Sequence, residues 1–254
     1  MDQGLDIPKP PSPALATREQ WRRAWRVLLE QEKALTRARD QVNAARRALP
    51  WVRVEREFRF ATPEGERDLA QLFGGLPQLI VYHFMLAPGW GEGCTGCSFL
   101  ADHLDGTLPH LQAAGTRLVV TSRAPLAEIE AYRRRMGWRF PWVSEGENGF
   151  GAEFGVHLPL AAQRDGSARY NDAPLSDPMG GLEDLHGLSV FARTADGAVC
   201  HTYSCYARGP EELLGTFMLL DRTPSGRAEQ GIMSWVRRHD EYAGPAAPAA
   251  GCCG

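Results

Sequence analysis

The segment Trp90-Gly-Glu-Gly-Cys-Thr-Gly-Cys-Ser-Phe99 carries two cysteines with two residues between them. Cys94 and Cys97 at that spacing can cycle between dithiol and disulfide, supply half of a metal site, or sit as two small buried residues. The redox use requires a thiolate, the form that attacks a disulfide or a peroxide. A thiol just ahead of a helix is helped toward that form by free backbone N–H groups and partial positive charge. On this reading Cys94 is the exposed nucleophile. Cys97, one turn in, resolves the mixed disulfide.

The metal use needs two further ligands. Cys200, His201 and Cys205 are candidates. Cys200 and Cys205 lie five apart on an expected strand, where alternation puts them on opposite sides and makes a compact four-ligand site awkward. No metal is expected on these residues. Other side chains are weighed as supports of the dithiol: Trp90 shielding the thiolate, Arg123 stabilising an anion at a strand end, His201 lining the cleft. His83, inside an apolar run, reads as a core histidine. Cys252 and Cys253 form a second pair near the carboxyl terminus. They are either without a role or a mobile relay that reduces a Cys94–Cys97 disulfide or hands over a soft metal ion.

The elements that must position these residues follow from periodicity. Gln78-Leu-Ile-Val-Tyr-His-Phe-Met85 is a nearly continuous apolar run and predicts a buried strand ending just before the cysteines. A helix should follow them, broken near Gly106 and Pro109. Arg117–Ser122 predicts another buried strand, and Pro125–Met136 a helix with proline in its first turn. Strand, helix, strand, helix implies a parallel pair with a right-handed crossover. The stretch from Val52 to Phe60 alternates like one half-buried strand, and Asp68–Phe73 reads as a helical turn. Residues 158–181 look irregular. Leu188–Ala192 and Ala198–Ser204 flank Asp196-Gly197 and predict a hairpin. A closing helix is expected over 210–221.

Upstream, residues 1–16 are proline-rich and read as a disordered segment. A helix is expected over 17–49, opened by the capping box Thr17-Arg-Glu-Gln20. Trp21, Leu28, Leu35, Val42 and Leu49 recur every seven residues on it. The stripe suits packing along the helix's own domain better than a dimer seam, since one heptad position alone carries large side chains. The expected organisation is thus a disordered start, this helix, a domain over 50–243 and a flexible Cys-Cys tail over 244–254.

The 254 residues carry a net charge of −3 and are 43% apolar. That charge argues against a partner such as nucleic acid. Interspersed glutamates make the arginine-rich first helix a solvated face. No apolar run is long enough for a membrane span. The first residues lack a signal pattern, so a cytoplasmic location is expected, where lasting disulfides are rare. Neither a Gly-x-Gly-x-x-Gly fingerprint nor a P-loop is present, and no organic cofactor is expected.

Beyond these features the chain resembles a bacterial thioredoxin-like family known as domain of unknown function 899. The resemblance rests on stretches in order from about residue 20 to 243. They include Val81-Tyr-His-Phe-Met85, Gly93-Cys94-Thr-Gly-Cys97-Ser98, Ser122-Arg-Ala-Pro125, Phe140-Pro-Trp-Val-Ser144, Gly187-Leu-Ser-Val-Phe191, His201-Thr-Tyr-Ser204 and Trp235-Val-Arg-Arg-His-Asp240. It implies an α/β thioredoxin-like fold near the peroxiredoxin-like branch, with a central mixed sheet flanked by helices. Two departures stand out. His186 precedes Gly187 where the family resemblance leads one to expect proline, and Ala87 and Gly91 break the peroxiredoxin Pro-x-x-x-Thr-x-x-Cys signature. The expected activity is thiol–disulfide exchange at Cys94 and Cys97. Its partners are an external thiol reductant and an oxidised protein or small molecule, with a homodimer as one possible form. Peroxide reduction, metal or metalloid binding and a non-catalytic scaffold stand as alternatives.

Overall fold

The structure, a computed structural model, describes residues 12–175 and 181–242. The chain divides into two compact units, residues 1–51 with 216–228 and residues 52–215 with 229–254.

In the first unit, α1 (Arg18–Arg47) is thirty residues long, about 45 Å at 1.5 Å per residue. Its capping box forms as the sequence predicts. Thr17 Oγ1 accepts from the Gln20 N–H at 3.1 Å, and Gln20 Oε1 accepts from the Thr17 N–H at 2.8 Å. Two orphan donors of the first turn are thereby satisfied. Trp21 and Trp25 stack at 5.7 Å. No side chain of α1 is buried, and the stripe of Trp21, Leu28, Leu35, Val42 and Leu49 stays exposed. The expectation that it packs along its own domain is therefore not met. In the same unit Arg227 lies 4.3 Å over the Phe217 ring and pairs with Asp221 at 2.7 Å.

The second unit runs through β1 (Val52–Arg53), β2 (Arg59–Thr62), β3 (Gly65–Asp68), α2 (Leu69–Leu72), β4 (Gln78–His83), α3 (Thr95–Ala101), α4 (Leu108–Ala113), β5 (Thr116–Ser122), α5 (Leu126–Arg135), β6 (Trp142–Ser144), α6 (Phe150–Glu153), α7 (Leu160–Arg164), β7 (Arg169–Tyr170), β8 (Ala173–Pro174), β9 (Gly187–Arg193) and β10 (Val199–Tyr206). The last helix, α8 (Gly215–Leu220), straddles the border with the first unit. Eight strands form one sheet in the order β1-β10-β9-β4-β5-β6-β2-β3, and β7 and β8 form a separate hairpin. β4, β5 and β6 are parallel, while β9 is antiparallel to β4 and β10 to β9. A parallel pair joined by a helix, then a returning hairpin added beside the first strand, is the thioredoxin-like arrangement.

Three local expectations change. The single strand expected over 52–60 is two. β1 pairs with β10 at one edge of the sheet, and β2 pairs with β6 and β3 at the other. Its alternation is that of two edge strands with a crossing between them. The closing helix is a 3-10 turn over Gly209–Leu213 followed by the short α8. Third, β10 carries a bulge: His201 faces Phe191 and Tyr203 faces Val190, leaving Thr202 as the extra residue. Cys200 then faces Ala192, and Cys205 faces Leu188. The two cysteines share a face of the sheet instead of lying on opposite ones. They are separated by four residues of β9, about 13 Å.

Two apolar layers cover the sheet. On one face Phe58, Phe60, Phe73, Val81, Phe150, Phe154 and Phe191 form a buried cluster. The other face holds Tyr82, Phe84, Tyr132, Trp138 and Trp142, with the Phe84 and Trp142 rings 4.5 Å apart. Trp138, Phe140 and Trp142 are core residues.

Candidate active site

Strand β4 delivers the chain to the cysteines at the carboxyl edge of the sheet, where α/β sheets bind and react. Cys94 occupies the N-cap position of α3. Its own N–H donates to the Met85 carbonyl at 3.1 Å, tying the loop to the strand. Its carbonyl accepts from the Ser98 N–H and the Ser98 hydroxyl, both at 2.9 Å. The Ser98 and Tyr132 hydroxyls are bonded at 2.8 Å, so α5 braces the helix start. Gly93 must be glycine, since a Cβ there would lie 2.4 Å from Phe84 and 2.7 Å from Tyr132. The aromatic floor thus meets the backbone one residue before Cys94.

Both cysteines are free thiols, Cys94 half-buried and Cys97 buried. The Cys97 thiol donates to the Cys94 sulfur, and the N–H groups of Cys97 and Gly96 point at it as well. The Arg238 guanidinium adds positive charge. Together they outweigh the effect of burial and bring Cys94 down to about 6, so it is mostly thiolate at neutral pH. Cys97 moves the other way. Burial pushes its thiol up, helped by the Cys94 anion, while the Tyr82 hydroxyl opposes the rise. The pair therefore contains one anion and one proton, shared across a hydrogen bond.

Residues 229–242 close over this site. Arg238 donates from Nε (3.2 Å) and Nη2 (2.8 Å) to the Gly93 carbonyl, and from Nη1 to Glu241 at 2.7 Å. Glu92 pairs with Arg238 at 3.3 Å and also with Arg135, which holds Asp240 at 2.7 Å. Met233 sits in a left-handed backbone conformation, φ 56°. Its sulfur lies 3.1 Å from where a Gly96 Cβ would be, a point 4.0 Å from the Cys94 sulfur. Tyr170 comes near from the β7 hairpin. Its hydroxyl donates to the His186 carbonyl at 2.7 Å and accepts from the Ala207 N–H at 2.8 Å. His186 occupies the place of the expected proline, and no described peptide bond is cis.

The supports named from sequence are placed differently. Trp90 is in the loop ahead of Cys94 and 37% exposed. Arg123 does stand at the end of β5, but its charge is taken by Asp184 (2.7 Å) and Glu147 (2.9 Å), not by the dithiol. His201 is on the opposite face of the sheet from Tyr82. There it bonds the Ser204 hydroxyl at 2.8 Å and joins a file of hydrogen bonds that runs inward, Ser204 to Ser189 at 2.9 Å and Ser189 to His83 Nε2 at 2.9 Å. Burial holds His83 down to about 3, so it is neutral, and its Nδ1 has no partner. On that face Glu145 is also buried. It accepts from the Thr121 hydroxyl and the Gly151 N–H, and burial raises it to about 7. Cys252 and Cys253 lie outside the described residues. Among the described residues no cluster of three or more His, Cys, Asp or Glu side chains is set to hold a metal, and no helix is long and apolar enough to cross a membrane.

Arg238, Met233, Tyr82 and Tyr170 are the site residues that motif reading missed. The stretches Trp235–Asp240 and Val81–Met85 contain two of them and offered the signal.

The pattern described as "Bacterial protein of unknown function (DUF899)" matches residues 10–242. The chain belongs to the DUF899 family. No curated protein matches it. Solved structures similar to this DUF899 chain include Peroxidoxin BcpB from Mycobacterium tuberculosis, 14% identical with a TM-score of 0.42, covering 68% of this chain and 96% of that one. A cysteine-to-serine mutant of Xanthomonas campestris Peroxiredoxin Q is 16% identical with a TM-score of 0.41, covering 64% and 90%. The mitochondrial 2-cys peroxiredoxin from Plasmodium falciparum is 13% identical with a TM-score of 0.41, covering 65% and 89%.

Proposed function

We propose that this protein is a thiol–disulfide oxidoreductase working through Cys94 and Cys97. The observation that carries the reading is the asymmetry of the pair: a half-exposed sulfur held as an anion, backed by a buried thiol that keeps its proton. The Cys94 thiolate attacks one sulfur of an oxidised partner. A Cys94–partner disulfide forms, and the partner's other sulfur leaves as a thiolate. Cys97 then gives up its proton and attacks the Cys94 sulfur, releasing the partner as a dithiol and leaving the Cys94–Cys97 disulfide. An external thiol reductant returns the pair to the dithiol and is itself oxidised. With a peroxide as oxidant, Cys94 becomes a sulfenic acid as the alcohol leaves, and Cys97 condenses with it to release water. The exposed stripe of α1 supports a homodimer as the working form, which sedimentation of the purified chain tests.

A Cys97→Ser variant tests the order of events. It should retain a mixed disulfide on Cys94 when mixed with an oxidised protein, and a stable sulfenic acid when mixed with a peroxide. Which adduct accumulates distinguishes the two oxidants. Adducts forming equally on a Cys94→Ser variant would remove Cys94 from the mechanism.

A further inference from the structure

We propose that α1 pairs with the α1 of a second copy of this chain, the two helices running antiparallel. The pairing deepens the homodimer reading above, on which it rests, and does not involve the dithiol. It begins from a face without charge. α1 carries thirteen charged residues, nine basic and four acidic. Counted in sevens, none of them falls in the row of Trp21, in the row three places on, or in the row one place before. Those three rows adjoin on a helix and make one neutral face along its whole length of about 45 Å. That face is open to water, with Trp21, Leu28, Leu35 and Val42 each 49 to 61% exposed. The half-buried residues of the helix, Leu29, Asn43 and Arg46, lie off it.

The sizes of the side chains fix the direction of the second helix. The row of Trp21 continues with Leu28, Leu35 and Val42, all large. The row three places on is Ala24, Gln31, Ala38 and Ala45. A parallel pair in register sets large against large and alanine against alanine, which leaves gaps at every second layer. An antiparallel pair sets one row against the other. Trp21 then meets the second copy's Ala45, and Leu28 meets the second copy's Ala38. Small residues in each layer let the axes approach to about 8 Å, the near end of the usual range. The ends match as well. Trp21 and Trp25 stack at the start of the helix, and its far end offers Ala44, Ala45 and Ala48.

Charge selects the same direction. Glu32 and Arg39 stand beside the neutral face, seven residues apart in the row of Trp25. Glu19 and Glu30 are taken within the helix by Arg23 and Lys33. The side chains of Glu32 and Arg39 have no hydrogen bond or ion pair with a described residue. In an antiparallel pair the two rows of Trp25 run side by side. Glu32 of each copy then lies beside the second copy's Arg39, and the two-fold axis makes two such ion pairs. In a parallel pair Glu32 lies beside the second copy's Val27, and neither ion pair forms. A lipid surface fits the face less well. More than half of its positions are alanine or glutamine, and Glu32 borders it.

Sedimentation equilibrium of the full-length reduced chain tests the pairing. The parent should be a dimer at micromolar concentration. Glu32→Arg and Arg39→Glu should each weaken it by about 10-fold, since two exposed ion pairs give way to two like-charge contacts. The double variant should regain the parental association. An equimolar mixture of the two single variants should form a mixed dimer tighter than either makes alone. Helical content by circular dichroism should be parental in all three, because both positions are exposed. Cys94 should alkylate at the parental rate, so the seam and the redox reading stand or fall separately. A chain that stays monomeric up to about 100 μM overturns the seam and the homodimer together. Binding of that monomer to phosphatidylserine vesicles would assign the face to a lipid surface instead. A dimer indifferent to the charge exchanges overturns the antiparallel seam alone and leaves a homodimer through another face.

Discussion

Tyr82 and His83 are neighbours on β4, and both are buried, yet they face different chemistry. Tyr82 points to the Cys97 thiol, one sulfur away from the half-exposed Cys94. His83 points through the sheet into a closed layer, where the rings of Phe150 and Phe154 lie 5.4 and 6.3 Å away and Ser189 takes its Nε2. The Tyr82 face leads to solvent through a thiolate. The His83 file ends on a serine and a second neutral histidine. A buried polar group thus marks reactivity when its hydrogen bond leads directly to a half-exposed group held as an anion. Otherwise it marks packing.

Substitutions on the two faces should separate activity from stability. The largest effect is expected from Cys94→Ser, which should reduce thiol–disulfide turnover to the uncatalysed background while the denaturant midpoint stays within experimental scatter. On the other face, His83→Ala should cost about 3 kcal/mol of stability, as for other large buried rings. Urea unfolding measures that loss, and the pH midpoint for Cys94 alkylation should remain near 6. A shifted midpoint would join the two faces and break the contrast.

The histidine face also sets the response to pH. His83 is lowered from 6.5 to about 3, so between these values the unfolded chain binds the extra proton and stability rises with pH. Glu145 is raised from 4.5 to about 7, so between those values the folded chain holds the proton and stability falls with pH. The two slopes oppose each other from pH 4.5 to 6.5, so this pair of groups contributes a plateau there. Glu145→Gln should expose the histidine slope, about 1.4 kcal/mol per pH unit, in unfolding free energies measured across that window. A plateau persisting in the variant would mean that one of the two groups titrates normally.

Smaller effects belong to the dithiol face. Arg238→Gln should raise the Cys94 alkylation midpoint toward, but not to, that of a free thiol, because the Cys97 thiol and two N–H groups remain. An unchanged midpoint would reduce Arg238 to a fastener of the Gly93 loop. Tyr82→Phe should slow release of a trapped mixed disulfide by about fivefold, the worth of one hydrogen bond of about 1 kcal/mol. Stopped-flow fluorescence follows that step.

The sequence made the dithiol and its strand–helix setting legible because those signals are local. A continuous apolar run, a capping residue and a helix breaker each act within a few positions. The bulge at Thr202 was illegible, since a one-residue slip is decided by what β9 presents opposite. So was the division of 52–60 between two sheet edges, where both halves keep the same alternation. Arg238 is 144 residues from Cys94 in the chain, and its role depends on where the last segment lies. The place of Arg123 at a strand end suggests an anion stabiliser, because its partners Asp184 and Glu147 are invisible to local spacing.

The thioether of Met233 gives the site a memory. It shares the approach to Gly96 with the Cys94 sulfur, and methionine oxidised to its sulfoxide is not restored by thiol exchange but requires a separate reductase. In the proposed cycle Cys94 and Cys97 erase each oxidation when they are reduced. An oxidised Met233 would persist, so the mass of the peptide that contains it should count the oxidant a molecule has met, long after its dithiol has been reset.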